Sequence, residues 1–244
     1  MRKFLVYFVT FLLMTCFVTV SAQSSEKPPT LKETVDKVRE KSEPITEETA
    51  PFSEQPTQVT EKPTPVQAQD VSKYLTGEGV TMIGDSIMNG NRDVILEQLP
   101  DALIDAKGSR DICGGFEAAR RLEQQGTLSD VVIVELGTNG PLLNHEPYAS
   151  GTQNILQLLG TDRQIFWVTT YCSYSQWMNM NNAFIWELSK TRPNIKVIDW
   201  YSLAIEHPEW FPDGVHPNLT GAREFAKMLK RALEEFYAPQ QTAY

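Results

Sequence analysis

The chain has 244 residues, a formal net charge of −9 at pH 7 and a hydrophobic content of 41%. This length allows one globular domain of ordinary size together with shorter flanking segments. The acidic balance and the lack of a basic stripe argue against a nucleic-acid partner. The three histidines are too scattered for a metal site, and nothing in the sequence implies a metal or an organic cofactor.

Residues 1–22 have the pattern of a secretory signal peptide. Arg2 and Lys3 precede an uncharged apolar run, and Val20-Ser21-Ala22 forms a small-residue cleavage site. The alternative is an uncleaved N-terminal membrane anchor. Both interpretations predict an exported protein that is secreted or associated with the cell surface or cell wall.

Residues 23–70 are rich in Pro, Thr and Glu and almost free of aromatic residues. Such a segment cannot bury enough apolar surface to offset the entropy lost on ordering, so we expect a disordered linker. A spacer that holds a catalytic domain away from a membrane or wall fits this composition, and so does a propeptide or a tail. Residues 71–244 remain as the candidate catalytic domain.

Strand and helix patterns alternate through this candidate domain. Short apolar runs predict five strands, and runs with helical spacing predict the helices between them. The predicted strands are 79–83, 102–105, 130–136, 164–170 and 195–199, and the predicted helices are 87–99, 115–125, 152–159, 177–190 and 219–236. This alternation predicts an α/β fold with a five-stranded parallel sheet and helices on both faces.

Three polar motifs carry the candidate chemistry: Gly84-Asp85-Ser86, Gly137-Thr138-Asn139-Gly140 and Asp213-Gly214-Val215-His216. The first two follow predicted strands, at the sheet edge where parallel sheets bind ligands. Each motif is weak alone. Together they supply a nucleophile, an oxyanion donor and a base with its orienting carboxylate, which is the set that a serine acyl-ester enzyme needs.

Each of these residues also has a plainer interpretation. Ser86 is a candidate nucleophile at the start of a helix, or only a helix N-cap. Asp213 is placed to orient His216 as a general base, or the two are a surface histidine and a capping residue. Asn139 is a candidate donor to the oxyanion, or a turn residue before Gly140.

The order and spacing of the motifs resemble the SGNH (GDSL-type) hydrolase superfamily over roughly residues 78–236. The resemblance implies a three-layer, flavodoxin-like fold with Ser86, Asp213 and His216 as the catalytic residues. It also implies an oxyanion hole made by the Ser86 amide, the Asn139 side chain and a backbone amide after the second strand. Gly108 is the first candidate for that amide, and Ser109 is the alternative because the most similar subgroup places its glycine one position later.

Several segments are similar to the extracellular catalytic domain of peptidoglycan O-acetyltransferase A from Gram-positive bacteria. They are 83–88, 105–107, 135–140, 199–201 and 213–217. In that family the serine takes an acetyl group delivered across the membrane and passes it to the C6 hydroxyl of muramic acid in the wall. The resemblance therefore implies a cell-wall polysaccharide substrate. The membrane half that precedes this domain in the family is not evident here, so we expect either a separate membrane acyltransferase as acetyl donor or an esterase that removes acetyl groups.

Other residues are candidates for substrate binding. Trp177 and Tyr171 are placed to stack on sugar rings, with core or rim packing as the alternative. Arg110 is a candidate contact to an acidic polysaccharide, with simple solvation as the alternative. Export permits a disulfide between Cys113 and Cys172, and the alternative is two separate thiols.

Three hypotheses follow. The leading one is an exported serine enzyme that acts on O-acetyl groups of cell-wall glycan, most simply a peptidoglycan O-acetyltransferase. A second is a non-catalytic glycan-binding module, which would not react with an active-site fluorophosphonate. A third is a general lipase or thioesterase, which would not share the preference for acetyl esters that a wall-acetyl enzyme should show.

Overall fold

The structure, a computed structural model, describes residues 71–241. The predicted signal peptide and linker lie outside these residues, so both stay predictions. Within residues 71–241, no helix has both the length and the apolar character needed to cross a membrane.

The described domain alternates strands with helices along its whole length. The strands are β1 (Val80–Gly84), β2 (Leu103–Ala106), β3 (Val131–Glu135), β4 (Gln164–Val168) and β5 (Ile195–Ile198). The α-helices are α1 (Ser86–Gly90), α2 (Arg92–Gln98), α3 (Ile112–Gln124), α4 (Tyr148–Leu159), α5 (Met178–Thr191), α6 (Trp200–Ala204) and α7 (Leu219–Gln241). Two 3₁₀ turns, Val71–Leu75 and Pro208–Trp210, complete the list.

The five strands form one parallel sheet in the order β2-β1-β3-β4-β5. The order reverses at β1, which lies between β2 and β3. In open parallel sheets, ligands bind at the carboxyl ends of the strands beside such a reversal. The expected α/β fold with a five-stranded parallel sheet is therefore confirmed.

Helices cover both faces of the sheet, which explains why most residues of its strands are apolar. Successive residues of a strand point to opposite faces, so Met82 joins one core and Ile83 the other. The first core packs against α2, α6 and α7, for example through Phe225. The second packs against α3, α4 and α5, for example through Ile155 and Ile185. The result is the three-layer arrangement expected from the sequence.

The structure differs from the predicted elements mainly at helix ends. The helix predicted over 87–99 is broken at Asn91, which ends α1 and begins α2. Helix α3 begins three residues earlier than predicted, because the side chain of Asp111 accepts a hydrogen bond from the Gly114 amide as an N-cap. The short helix α6 and both 3₁₀ turns have no periodic pattern long enough to predict them.

The two cysteines of the described domain are separate thiols. Cys113 is half-buried on α3, and Cys172 is buried in the core on the opposite face of the sheet. The second alternative from the sequence, two unpaired thiols, is the one found.

Candidate active site

The first two motifs lie side by side because of the strand order. Gly84, the last residue of β1, is in register with Ala106 of β2 and Glu135 of β3. The three strands therefore end at the same level, and the segments that follow them meet at one edge of the sheet. This edge brings together Ser86, the turn containing Gly108, and Asn139.

Ser86 is held at this edge by a tight turn between β1 and α1. Asp85 is fully buried and caps α1, since its Oδ1 accepts a hydrogen bond from the Ile87 amide at 2.9 Å. Ser86 is then the first residue of α1 and is half-buried. Its hydroxyl faces the open side of the turn, where it meets the third motif.

The third motif completes a relay of three side chains. Ser86 Oγ lies 2.9 Å from His216 Nε2, and His216 Nδ1 lies 2.7 Å from Asp213 Oδ2. An ionised Asp213 can only accept, so Nδ1 carries the proton and Nε2 is left to accept from the serine hydroxyl. The sequence predicted these three residues as a set, and the structure brings them together.

Asp213 is held in its ionised form by its own loop. The His216 side chain donates to it, and its Oδ1 accepts from the backbone amides of His216 at 2.8 Å and Val215 at 3.0 Å. These hydrogen bonds favour the charged form and lower the pKa of Asp213 to about 2. The carboxylate therefore stays charged at neutral pH and fixes the imidazole orientation.

A cluster of aromatic side chains supports the loop that carries Asp213 and His216. Trp210 and Phe211 precede the loop, are buried, and pack on Trp200 with ring centroids 6.2 and 5.9 Å away. Tyr171 packs on Phe211 at 4.4 Å and is 7% exposed. This burial disagrees with the expectation that Tyr171 stacks on sugar, because its ring is already covered by the protein.

Asn139 links the nucleophile turn to the neighbouring loop. Its Nδ2 donates to Asp85 Oδ2 at 2.9 Å and to the Arg110 carbonyl at 3.2 Å. An amide nitrogen has two hydrogens, so both are engaged. Donation to an oxyanion therefore stays a prediction. It requires Asn139 to give up its longer bond, to the Arg110 carbonyl, and to donate that hydrogen to the oxyanion instead.

Arg110 is placed to stabilise the structure rather than to meet a glycan. Its side chain is 8% exposed and forms an ion pair with Asp105 at 2.7 Å, while it also donates to the carbonyls of Asp105 and Gly84. Because the buried guanidinium already bonds Asp105 and the Gly84 carbonyl, it is not exposed for contact with substrate. This placement disagrees with the predicted substrate contact and explains why an arginine is needed there.

The turn after β2 leaves two backbone amides available. Ser109 adopts a positive φ of 57°, and the Arg110 amide closes the turn on the Lys107 carbonyl at 3.3 Å. The amides of Gly108 and Ser109 donate no hydrogen bond to any of residues 71–241. Both amides therefore stay candidates for the second oxyanion donor.

Asn181 is a site residue whose role the sequence did not reveal. It is fully buried on α5; its Nδ2 donates to the carbonyls of Gly137 and Gly140 at 2.8 and 2.9 Å, and its Oδ1 accepts from the Leu142 amide at 2.8 Å. Every hydrogen-bonding group of this amide is thus used to fasten the loop that contains Asn139. Its distance of about 40 residues from that loop in sequence hides this role.

A small cavity of about 210 Å³ opens between the loops that follow β3 and β4. Its lining includes Thr138, Tyr174 and Trp177. Trp177 is half-buried and donates its indole N–H to the Thr138 carbonyl at 3.2 Å, which places its ring beside the Asn139 loop. The loop containing Tyr174 also reaches the loop that carries His216, because the Ser173 amide donates to the Gly214 carbonyl at 2.9 Å. Trp177 is thus the predicted substrate-binding residue whose position suits that role.

Two carboxyl groups lie beneath the nucleophile turn. Burial raises the pKa of Asp85 to about 6, and burial together with the negative charge of Asp85 raises the pKa of Glu135 well above its usual range. A buried pair of acids this close cannot hold two charges, so the pair retains a proton near neutral pH.

Among the residues that the structure describes, no group of three or more His, Cys, Asp or Glu residues is arranged to hold a metal ion.

Sequence comparison finds relatives among cell-wall acetyltransferases. No protein-family model matches the sequence. YrhL of Bacillus subtilis, a protein assigned as a peptidoglycan O-acetyltransferase, is 30% identical over 170 residues, which is 69% of this chain and 26% of that protein. The chain therefore spans about a quarter of the length of the curated relatives it matches.

Structural comparison points to the same group of proteins. The C-terminal catalytic domain of peptidoglycan O-acetyltransferase A (OatA) from Streptococcus pneumoniae, solved with a methylsulfonyl adduct, superimposes with a TM-score of 0.58 at 26% identity. The match covers 65% of this chain and 94% of that domain. A GDSL-like lipase from Bacteroides thetaiotaomicron has the same fold, with a TM-score of 0.54 at 16% identity over 66% of this chain and 89% of the lipase.

Proposed function

We propose that the chain is an exported serine enzyme of the SGNH (GDSL) type that transfers acetyl groups to cell-wall peptidoglycan. The observation that carries this proposal is the relay from Ser86 through His216 to Asp213, with contacts of 2.9 and 2.7 Å. The similarity to the OatA catalytic domain supports the choice of substrate.

The first half of the reaction forms an acetyl-serine. His216 Nε2 takes the proton of the Ser86 hydroxyl as Oγ attacks the carbonyl carbon of an acetyl ester. Asp213 accepts the hydrogen bond from Nδ1 throughout and stabilises the imidazolium that forms. The tetrahedral intermediate then collapses, and His216 returns the proton to the leaving alcohol.

The oxyanion of that intermediate would be held by amides at the sheet edge. The backbone candidates are the Ser86 amide and the amide of Gly108 or its neighbour Ser109, in the turn that follows β2 at the same sheet edge. Asn139 would add a third donor by exchanging its bond to the Arg110 carbonyl. One such donor is worth roughly 3–4 kcal/mol of barrier.

The second half of the reaction decides between transfer and hydrolysis. In transfer, a sugar hydroxyl, the C6 hydroxyl of muramic acid by analogy with OatA, gives its proton to His216 and attacks the acetyl-serine. Ser86 then leaves with the proton from His216, so the enzyme is regenerated. The cavity beside Trp177 is the proposed acceptor site, because an indole ring provides a flat apolar face for a sugar.

The proposed setting of the enzyme is the outer surface of the cell. The signal pattern in residues 1–22 would export the chain, and the segment 23–70 would serve as a spacer to the wall. A separate membrane acyltransferase is the proposed source of acetyl groups. This arrangement matches the expectation of a cell-wall enzyme in a Gram-positive bacterium.

Hydrolysis is the second candidate, and the exposure of the relay favours it. The side chains of His216 and Asp213 are 48% and 55% exposed, so water can reach the acetyl-serine. A transferase must exclude water or bind its acceptor better than water. With no acceptor present, we therefore expect slow release of acetate.

The test follows an acetyl aryl ester with the full chain and with Ser86→Ala as control. Acetate and acetylated sugars are measured by mass spectrometry, with and without muroglycan or chito-oligosaccharide acceptors. Acetylated glycan formed at the expense of acetate is the expected result. Acetate alone, with acetyl also lost from acetylated wall, would identify an esterase, and a fully active Ser86→Ala chain would refute both.

A further inference from the structure

Glu135 is a buried acid that the relay does not use. It ends β3, is 2% exposed, and extends beneath the nucleophile turn rather than into the open site. Its Oε2 accepts hydrogen bonds from the Asp85 amide at 3.1 Å and from the Met88 amide at 3.4 Å. These two amides flank Ser86 in sequence, so Glu135 is hydrogen-bonded to the backbone before and after the candidate nucleophile.

The glycine at position 84 leaves room for the Glu135 side chain beneath the turn. A Cβ at Gly84 would lie 3.0 Å from Glu135 Oε2 and 2.5 Å from the Met88 Cβ. Gly84 therefore lets both side chains close over the end of β1. The carboxyl of Glu135 therefore occupies space that any side chain at position 84 would take up.

Glu135 and Asp85 are also coupled electrostatically, because Glu135 Oε2 bonds the Asp85 amide and both carboxyl groups are buried. Burial and the negative charge of Asp85 raise the pKa of Glu135 well above its usual range. Asp85 Oδ1 and Oδ2 already accept from the Ile87 amide and from Asn139, both at 2.9 Å. These donors keep the charge on Asp85 and leave Glu135 as the member that holds the proton.

We propose that Glu135 is a positioning residue that works in its neutral form, with its Oε2 accepting hydrogen bonds from the amides of Asp85 and Met88. It would thereby set the position of Ser86 against His216. This inference deepens the proposed function, on which it rests, because it concerns how the proposed nucleophile is held.

The charged groups around Glu135 define the expected pH dependence. They are Asp85 on the turn itself, Arg110 with Asp105 from the side of β2, and the pair Asp213–His216 beyond Ser86. Loss of the Glu135 proton at alkaline pH would leave two negative charges, on Glu135 and Asp85, buried beneath the turn. Ser86 should then lose reactivity, whereas a glutamine at position 135 cannot ionise.

The test compares Glu135→Gln with Glu135→Leu in the full chain. Glutamine has the length of glutamate, accepts with its carbonyl and donates with its amide, whereas leucine leaves the two amides unpaired. The readout is the rate of Ser86 labelling by a fluorophosphonate, with circular dichroism to confirm folding and Ser86→Ala as the blank. We expect Glu135→Gln to react within about threefold of wild type and Glu135→Leu to react about 100-fold more slowly, the loss that a displacement near 1 Å causes.

The pH profile adds a second readout. The ratio of the Glu135→Gln rate to the wild-type rate should rise as the pH becomes alkaline, since the remaining groups are common to both chains. A Glu135→Gln chain labelled more than about ten times more slowly than wild type at neutral pH would overturn the proposal, whether or not Glu135→Leu folds. So would a Glu135→Leu chain as reactive as wild type. A wild-type chain that resists the reagent would instead refute the proposed function and this inference with it.

Discussion

The two halves of the candidate active site are built in opposite ways. The nucleophile half, around Asp85 and Glu135, is buried and held by polar bonds between distant parts of the chain. The base half, Asp213 and His216, is exposed, and the hydrogen bonds of its carboxylate are all made within residues 213–216. Aromatic packing beneath Trp210 and Phe211 supplies the rest of its support.

This difference predicts which mutations should lower activity without lowering the free energy of unfolding. An exposed side chain that contacts only its own loop can be replaced with little effect on folding. A buried polar group cannot, because its partners are left without hydrogen bonds in a region that excludes water. Mutations in the base half should therefore change activity far more than stability, and mutations in the nucleophile half should change both.

The largest expected effect is the loss of the base. His216→Gln removes the acceptor of the Ser86 proton, so kcat should fall on the order of a million-fold, as when the base is lost from a serine enzyme. The free energy of unfolding should change by less than about 0.5 kcal/mol, since the side chain is half exposed. Kinetics on an acetyl aryl ester and urea unfolding measure the two quantities. A chain that unfolds on this change would contradict the separation proposed for the base half.

Asp213→Asn should have the next largest effect. An amide donates to Nδ1 and favours the wrong imidazole tautomer, so kcat should fall about 10⁴-fold while the geometry is kept. The pKa of Asp213 is lowered from 3.8 to about 2, so its charge contributes stability above the higher value and loses that contribution as the pH falls through the lower one. Any stability advantage of wild type over Asp213→Asn should therefore shrink as the pH falls from about 4 to about 2. Thermal unfolding of both chains across this range checks the sign, and an advantage that grows on acidification would contradict it.

The sequence was sufficient for the sheet and for the relay, for a physical reason. Apolar runs of strand length alternate with helical patterns, and residues that end parallel strands must meet at one edge. This rule placed Ser86 and Asn139 together, and the three-residue spacing placed His216 with Asp213; their catalytic roles stay predictions.

The sequence did not reveal the supporting shell, since each of its contacts joins residues far apart in the chain. Glu135 reads as the last residue of an apolar strand, and nothing in the local pattern shows that it lies beneath Ser86. Arg110 and Tyr171 were assigned to substrate because residue type alone does not distinguish a buried guanidinium or ring from an exposed one. Their burial depends on Asp105 and Phe211, which only the folded chain brings to them.

The smallest catalytic effect should come from replacing Asn181, one of two adjacent buried asparagines of α5; the other, Asn182, provides a matched control. Asn181 fastens the loop containing Asn139, whereas Asn182 bonds the amide and carbonyl of Thr170 at 2.8 and 2.9 Å, after β4. Replacing either with alanine leaves buried backbone groups unpaired, so each change should cost about 2–4 kcal/mol of unfolding free energy.

Only Asn181→Ala should lower kcat strongly, by about 10- to 100-fold, because only it releases the loop beside the nucleophile. Asn182→Ala, the matched control, should retain kcat within about threefold once both chains are compared well below their unfolding temperatures. Equal losses of kcat in the two variants would mean that general loosening of α5, rather than the position of the Asn139 loop, limits the reaction. A loss confined to Asn181→Ala would show that the nucleophile half depends on the position of the Asn139 loop, which Asn181 of α5 sets through its bonds to Gly137 and Gly140.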